Sequence, residues 1–438
     1  MSQKIQFRRG TDAARQTVVF DLGEPVFTTD TNKFYIGNGA TTGGLSVGGI
    51  FSNGENYEIV ETTDNAVTNA INLLTAFNNA SAKTPYGLPL SSTNRYSIFL
   101  PPGVYDLTST GIYATFKQYI SIIGLSNNAQ DIVLKTTDGI ASSNPAPIFM
   151  LAYACTGLAF KNLSLYSYNT GVTSSTTPIY IAPITPYNGI VDITLDNLYL
   201  YQSGTNPYSD SAIFYGAASD QLVSGIRINN ISTKGSVFTS PSQQAKIYDM
   251  TISNSTIYGE FLGHCHNYNT TRTSTIKNII SNCSVIKESG TLFAGTNSKA
   301  FSGYLFKDCY FKASGMFYEF GTLSALRLVN SEFENCYFDG YINSFNGKMR
   351  NCTIKSNTPN KAAVEFQITQ GSVGNYLPQF TDCTFISMES YPSVTGLTNG
   401  TVSGLFINCS FNNPIYTGMT GQFSSDINNT NIISPYIS

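Results

Sequence analysis

The sequence predicts a mostly-β chain whose greater part is a parallel β-helix, preceded by a small β-rich module. Two observations carry that prediction: a short phrase built on an Asn or Asp recurs ten times, and the spacing between its copies is uneven. Composition agrees, because charged residues are only 12% of the 438 positions, about half the roughly 25% usual for soluble domains.

The register residues of the phrase are Asn162, Asn197, Asn230, Asn254, Asn282, Asp308, Asn335, Asn351, Asp382 and Asn408. Two places before each stands a large apolar side chain: Phe160, Leu195, Ile228, Ile252, Ile280, Phe306, Phe333, Met349, Phe380 and Phe406. One place after come Leu163, Leu198, Ile231 and Ser255, then Cys283, Cys309, Cys336, Cys352, Cys383 and Cys409. Three places after, the residue is apolar in every copy but Thr233. A straight strand sends successive side chains to opposite faces, so the places two before and one after cannot share a face. Both are apolar, so the chain must turn at the Asn or Asp. These residues tolerate left-handed backbone and so suit sharp corners. Strand, corner, strand then repeats around one interior, and stacked corners allow a ladder of side-chain amides.

Successive register residues lie 35, 33, 24, 28, 26, 27, 16, 31 and 26 apart. Most intervals fit one coil of a solenoid with variable loops at its other corners. Leucine-rich, ankyrin or propeller repeats would keep a tighter period. The interval of 16, from Asn335 to Asn351, is short for a coil, which predicts an off-register phrase or a local irregularity there. The six cysteines after the corner read as small inward-facing thiols, stacked and reduced, consistent with synthesis in a cytosol. Asn-x-Ser/Thr sequons at Asn162, Asn230, Asn254, Asn282, Asn351 and Asn408 read as by-products of the same register.

Upstream, Asp64 to Asn79 places Val67, Ala70, Ile71, Leu74 and Phe77 on one helical stripe behind a Thr/Asp cap, a helix able to close the open end of a solenoid. Then come Ile98-Phe99-Leu100-Pro101-Pro102-Gly103-Val104-Tyr105, Tyr119-Ile120-Ser121-Ile122-Ile123-Gly124 and Asp131-Ile132-Val133-Leu134. With the repeat, these phrases resemble the pectin-lyase-like superfamily of phage tailspikes and polysaccharide lyases. The resemblance implies a right-handed parallel β-helix over residues 55–425, with a tail or cap at 426–438, and says little about activity.

The first residues carry a second resemblance. Ile5-Gln6-Phe7-Arg8-Arg9-Gly10-Thr11, Gly23-Glu24-Pro25, Thr29-Asp30-Thr31 and Ile36-Gly37-Asn38-Gly39 resemble the N-terminal module of phage tail-fibre proteins, which more often has Asp where Asn38 stands. That implies a virion-proximal module and linker at residues 1–54, contact with other virion proteins through it, and a homotrimeric fibre.

Partner classes follow from charge. The 24 basic and 27 acidic residues net to −3, and no Lys/Arg cluster is present to neutralise phosphates, which argues against nucleic acid. The N-terminus has no apolar signal region and no long apolar run appears, which argues against membrane insertion. Nothing in the sequence calls for a cofactor. Neutral hydrogen-bonding residues and 28 tyrosines suit a host cell-surface polysaccharide better than an ionic partner.

A depolymerase on such a scaffold uses two carboxylates. Asp339 is predicted outward-facing, and Asp210, Asp220, Asp249, Glu260, Glu319 and Glu332 are further candidates. Glu260, Glu332 and Asp339 stand foremost, yet no spacing singles out a pair and each reads equally as a solvating acid. No Lys, Arg or His constellation suggests a lyase. His264 and His266 share a face of a strand and could contribute to a metal site across a trimer axis, but two ligands from one chain do not make one. Tyrosines are the stronger signal. Tyr199, Tyr310 and Tyr337 fall two places after the corner, and Tyr166, Tyr201 and Tyr258 four places after, both outward. Stacking would set their rings in rows suited to sugar or to a neighbouring subunit. The expected function is a virion fibre or spike that adsorbs to host glycans or serves structurally. A tailspike depolymerase and a capsid decoration fibre are the alternatives.

Overall fold

The computed structural model describes residues 8–31, 34–46, 54–108, 111–114, 116–137, 147–152, 154–168, 177–182, 189–203, 211–215, 222–239, 246–259, 261, 278–288, 292–295, 301–316, 318–320, 328–329, 331–343, 345, 347–367, 379–388, 391–397, 405–413 and 415–417. The chain forms two compact units, Met1–Ile59 and Val60–Ser438.

In the first unit, Arg8–Gly10 pairs in parallel with Pro25–Thr28, which pairs antiparallel with Phe34–Ile36 and so with Leu45–Ser46. Its small core is Phe20, Val26 and Tyr35. The N-terminal phrases each have a local job. Thr11 caps the helix Asp12–Arg15 by accepting from the Ala14 amide. Asp30 accepts from the Asp12 amide through both carboxylate oxygens, and Glu24 pairs with Arg8 at 3.1 Å. Gly37 is required because a Cβ there would lie 2.2 Å from the Asp21 carbonyl oxygen. The Arg15 guanidinium sits 3.6 Å from the Tyr35 ring centroid, closing the module over its core.

The second unit is a parallel β-helix. Tyr96–Leu100 pairs with Ile120–Gly124, which pairs with Ala159–Tyr168, then Ile190–Gln202, then Leu222–Lys234, every pairing parallel. From Thr251–Ser253 and Thr256–Tyr258 onward the same two ladders continue as shorter strands to Leu405–Ile407 and Ser410–Phe411. Separate parallel pairings of Ile112–Tyr113, Phe149–Ala152, Ile179–Ala182, Ser211–Tyr215 and Ser236–Thr239 form a further side of the first coils.

All ten register residues have positive φ, between 50° and 57°, so the backbone turns at each of them. Their amides form the expected ladder: Asn197 donates to Asn162, Asn230 to Asn197, Asn335 to Asp308, Asn351 to Asn335 and Asn408 to Asp382, at 2.6–3.0 Å. Asn254 departs from the pattern and donates to Asn229 instead. A second column of corners, five places upstream, was not apparent in the sequence. Gly157, Asp192, Gly225, Asp249 and Gly303 all have positive φ there, and mixed residue types hide the repeat.

One expectation resolves to its second alternative, and another needs correction. Neither the Asn335 nor the Asn351 phrase is off-register: Phe333 pairs with Met349, Phe338 with Ile354, and the two corner amides bond at 2.8 Å. The irregularity expected there is a register shift of Tyr310–Met316 against Tyr337–Asn343, between the pairs Lys312–Asp339 and Met316–Tyr341. The coil is short because only four residues separate Tyr337–Asn343 from Lys348–Arg350. The capping helix, Ala66–Ala80, also turns a different face to the core. Its buried residues are Asn69, Ala70, Leu73, Ala76, Phe77 and Ala80, and its cap is Asn65, while Val67 and Ile71 are 54% and 56% exposed. Asn69 decides the rotation. Its side chain bonds the Thr63 amide and carbonyl and the Val104 carbonyl, which lets a polar group enter the core, while alanines allow close approach to the coil.

Candidate functional site

The ladder after the Asn corner presents the outward tyrosines. Leu198 and Leu200 are buried, so Tyr199 and Tyr201 between and after them face solvent. In-register pairing sets Tyr166 beside Tyr201 and Ser164 beside Tyr199. Tyr166 lies 5.7 Å from Tyr199, 5.6 Å from Tyr201 and 5.9 Å from Tyr168 by ring centroids, and Tyr168 lies 5.6 Å from Tyr201. Burial and the neighbouring phenols push the Tyr166 hydroxyl above its ordinary pKa, so it stays a hydrogen-bond donor. Lys234, next in the same column, holds its ammonium 4.8 Å from the Tyr201 centroid, and Tyr258 follows Lys234.

The expected tyrosine row is two patches, not one. Between Tyr199 and Tyr310 the column runs through Ser232, Thr256 and Ser284, a gap of four rungs or about 19 Å. Tyr310 and Tyr337 stack at 5.8 Å and 20°. The Tyr310 hydroxyl donates to Asp339 at 3.4 Å, and burial followed by the Asp339 charge pushes its pKa up. Lys312 and Lys355 pair with Asp339 across the ladder.

The carboxylate candidates do not converge. Glu332 is paired with Lys348 at 3.5 Å and precedes the Asn335 corner, whereas Asp339 follows it, so the two stand on different faces of one coil. Asp249 occupies the upstream corner. The one buried acid among the described residues, Glu365, is held by Lys361 at 3.0 Å. Asp210, Asp220, Glu260, His264 and His266 lie outside the described residues, as does the Glu319 side chain. Among the described residues, no group of three or more His, Cys, Asp or Glu is placed to hold a metal ion, and no helix is long and apolar enough to cross a membrane.

Sequence reading missed Tyr168 and Lys234. Lys234 shares the register of Tyr166 and Tyr201, and that shared place was the available signal. Tyr168 lies six places after the corner, beyond the window in which the repeat is regular.

The fold of the second unit is that of parallel β-helix proteins. At the other end of the chain, residues 5–41 match the major tropism determinant N-terminal domain. Solved structures similar to the chain include a tailspike protein of Acinetobacter baumannii bacteriophage Fri1, described as a capsular polysaccharide depolymerase (10% identity, TM-score 0.40, covering 95% of this chain and 76% of that one). Another is the A-module of a mannuronan C-5 epimerase from Azotobacter vinelandii (11% identity, TM-score 0.39, covering 84% and 98%). A third is a protein of Geobacillus virus E2 (14% identity, TM-score 0.30, covering 96% and 72%). No curated protein matches the sequence.

Proposed function

We propose that this chain is a phage virion fibre or spike that adsorbs to a host cell-surface glycan. In this reading residues 1–54 join it to other virion proteins, the β-helix from residue 55 to about 425 is the exposed part, and the working assembly is a homotrimer. One observation carries the adsorption role: a cluster of four tyrosine rings, Tyr166, Tyr168, Tyr199 and Tyr201, on the outer face of two successive strands, backed by a rigid ladder. Aromatic faces with polar tips are suited to the C–H faces and hydroxyls of sugars. The match of residues 5–41 to a tropism-determinant domain supports attachment at that end.

Tyr166→Ala should weaken binding of the full-length protein to host cells by about 1 kcal/mol and leave its molar mass in light scattering unchanged. A loss of trimer with sugar binding intact would assign the rings to a subunit interface instead. A monomer mass for the wild-type protein counts against the assembly, and retention on virions after removal of residues 1–54 counts against the attachment.

A depolymerase is the second reading, favoured by Asp339, which shares its face with Tyr310, Tyr337, Lys312 and Lys355. New reducing ends or unsaturated products from host capsule, lost in Asp339→Asn, would replace adsorption by cleavage.

A further inference from the structure

We infer that the glycan bound by the upper tyrosine patch carries carboxylates, and that Lys234 is the residue that reads this charge. The inference rests on the adsorption reading above and specifies its ligand. Lys234 stands in the ladder between Tyr201 and Tyr258, is exposed, and lies over the Tyr201 ring at 4.8 Å. Among the described residues no carboxylate pairs with it. Three other strand lysines differ in this respect. Lys135, three rungs earlier in the same column, is tied to Asp106 at 3.1 Å. Lys161 is tied to Asp196 at 3.6 Å and Lys348 to Glu332 at 3.5 Å.

An ammonium above an aromatic face is held there by the ring's negative quadrupole, while its three donors remain available to a ligand. A sugar lying against Tyr166, Tyr168 and Tyr201 brings an equatorial substituent toward Lys234, and a carboxylate there gains a charge-assisted hydrogen bond. Charge distribution favours the same ligand. The chain carries a net charge of −3, which opposes an anionic polymer in general. The outward column four places after the corner runs the other way, with Lys135, Lys234, Lys312 and Lys355 against Asp106 and Asp339. A cationic stripe on an otherwise acidic protein orients an anionic chain along the ladder and excludes it elsewhere.

The test applies full-length protein to an array of bacterial capsular polysaccharides and O-antigens, half neutral and half carboxylate-bearing, and then titrates the tightest binder and its carboxyl-reduced form. The tightest binder should be carboxylate-bearing. Carboxyl reduction and Lys234→Gln should each weaken binding by about fivefold to tenfold, with no further loss when combined. Raising the salt concentration should weaken the wild type more than the variant. Tyr166→Ala should weaken both forms of the glycan. A neutral tightest binder, or Lys234→Gln binding the acidic glycan as the wild type does, overturns the inference and leaves adsorption standing. Binding to nothing on the array, with Tyr166→Ala equally silent, overturns adsorption itself. Because Lys234 is exposed, an unchanged melting curve shows that the variant is folded.

Discussion

The coils up to Leu222–Lys234 and those after it bend at the same corner but fill it differently. In the first group the strands Ala159–Tyr168, Ile190–Gln202 and Leu222–Lys234 run through the corner without a break, with Leu163, Leu198 or Ile231 just after it. In the second group each corner divides the chain into two short strands, and Ser255 or a cysteine follows. Corner φ is the same in both groups, 51–57° against 50–55°, so backbone bend does not explain the difference. Lumen filling does. The later coils stack phenylalanines: Phe306 on Phe333 at 4.4 Å, Phe311 on Phe338 at 5.0 Å, Phe380 on Phe406 at 4.9 Å and Phe385 on Phe411 at 5.0 Å. In the short coil, where Met349 and Ile354 replace rings, Phe345 enters the lumen 6.0 Å from Phe333 and 5.5 Å from Phe380. Rings of this size leave room for only a small side chain at the corner.

The cysteines also supply a contact that leucine cannot. Each of the six lies near two carbonyls, that of the residue two places earlier and that of the apolar residue on the preceding coil. Cys309, for example, reaches Lys307 at 3.2 Å and Ile280 at 3.5 Å, and Cys352 reaches Arg350 and Phe333 at 3.3 and 3.5 Å. Ser255 makes the first of these contacts with a hydroxyl, to Ser253 at 2.7 Å. The thiol is therefore a weak donor placed where a corner exposes carbonyls, as well as a small apolar filler.

This comparison can be broken by experiment. The largest effect should come from Phe333→Ala, which opens a cavity among four rings and should cost about 3–5 kcal/mol in denaturant unfolding. Next is a reciprocal exchange at the corner. Cys336→Leu should cost about 1–3 kcal/mol through overpacking, and Leu198→Cys should cost about 2 kcal/mol through underpacking. A neutral Cys336→Leu would show that ring stacking does not set the corner residue. Smaller is Asn335→Ala, at about 1–2 kcal/mol for left-handed strain and two lost amide bonds. Asn335→Gly keeps the backbone freedom and should fall between Ala and wild type; equal midpoints for Ala and Gly would remove strain from the account.

The thiols provide the last two tests. Cys155, Cys283, Cys309, Cys336, Cys352, Cys383 and Cys409 are free and buried, so peptide mapping after alkylation should find them unlabelled in the native protein and labelled after denaturation. Disulfides among them, or labelling before unfolding, would contradict the stacked register. Burial pushes Cys155 up to about 11 from 9.0. Below about pH 9 its thiol is protonated in both folded and unfolded chains. Between pH 9 and 11 the unfolded chain ionises first, so stability should fall as pH rises. Cys155→Ala should flatten that alkaline slope.

The sequence by itself determined the ten register corners, the intervals between them and the inward columns on either side. Each depends on a local rule: Asn and Asp accept left-handed backbone, and alternation assigns a side to every residue within a few places of the turn. The capping helix was located by the same kind of rule, but its buried face was not, because a satisfied Asn69 and three alanines form a core face that an apolar count overlooks. Tertiary structure alone decided which residues are neighbours across coils. Contacts such as Tyr166 with Tyr201, Tyr310 with Asp339 and Cys309 with Ile280 join residues 29 to 35 positions apart, through loops whose lengths follow no period. Alternation sets which way a side chain points, but only hydrogen-bonded stacking of whole coils sets what stands beside it.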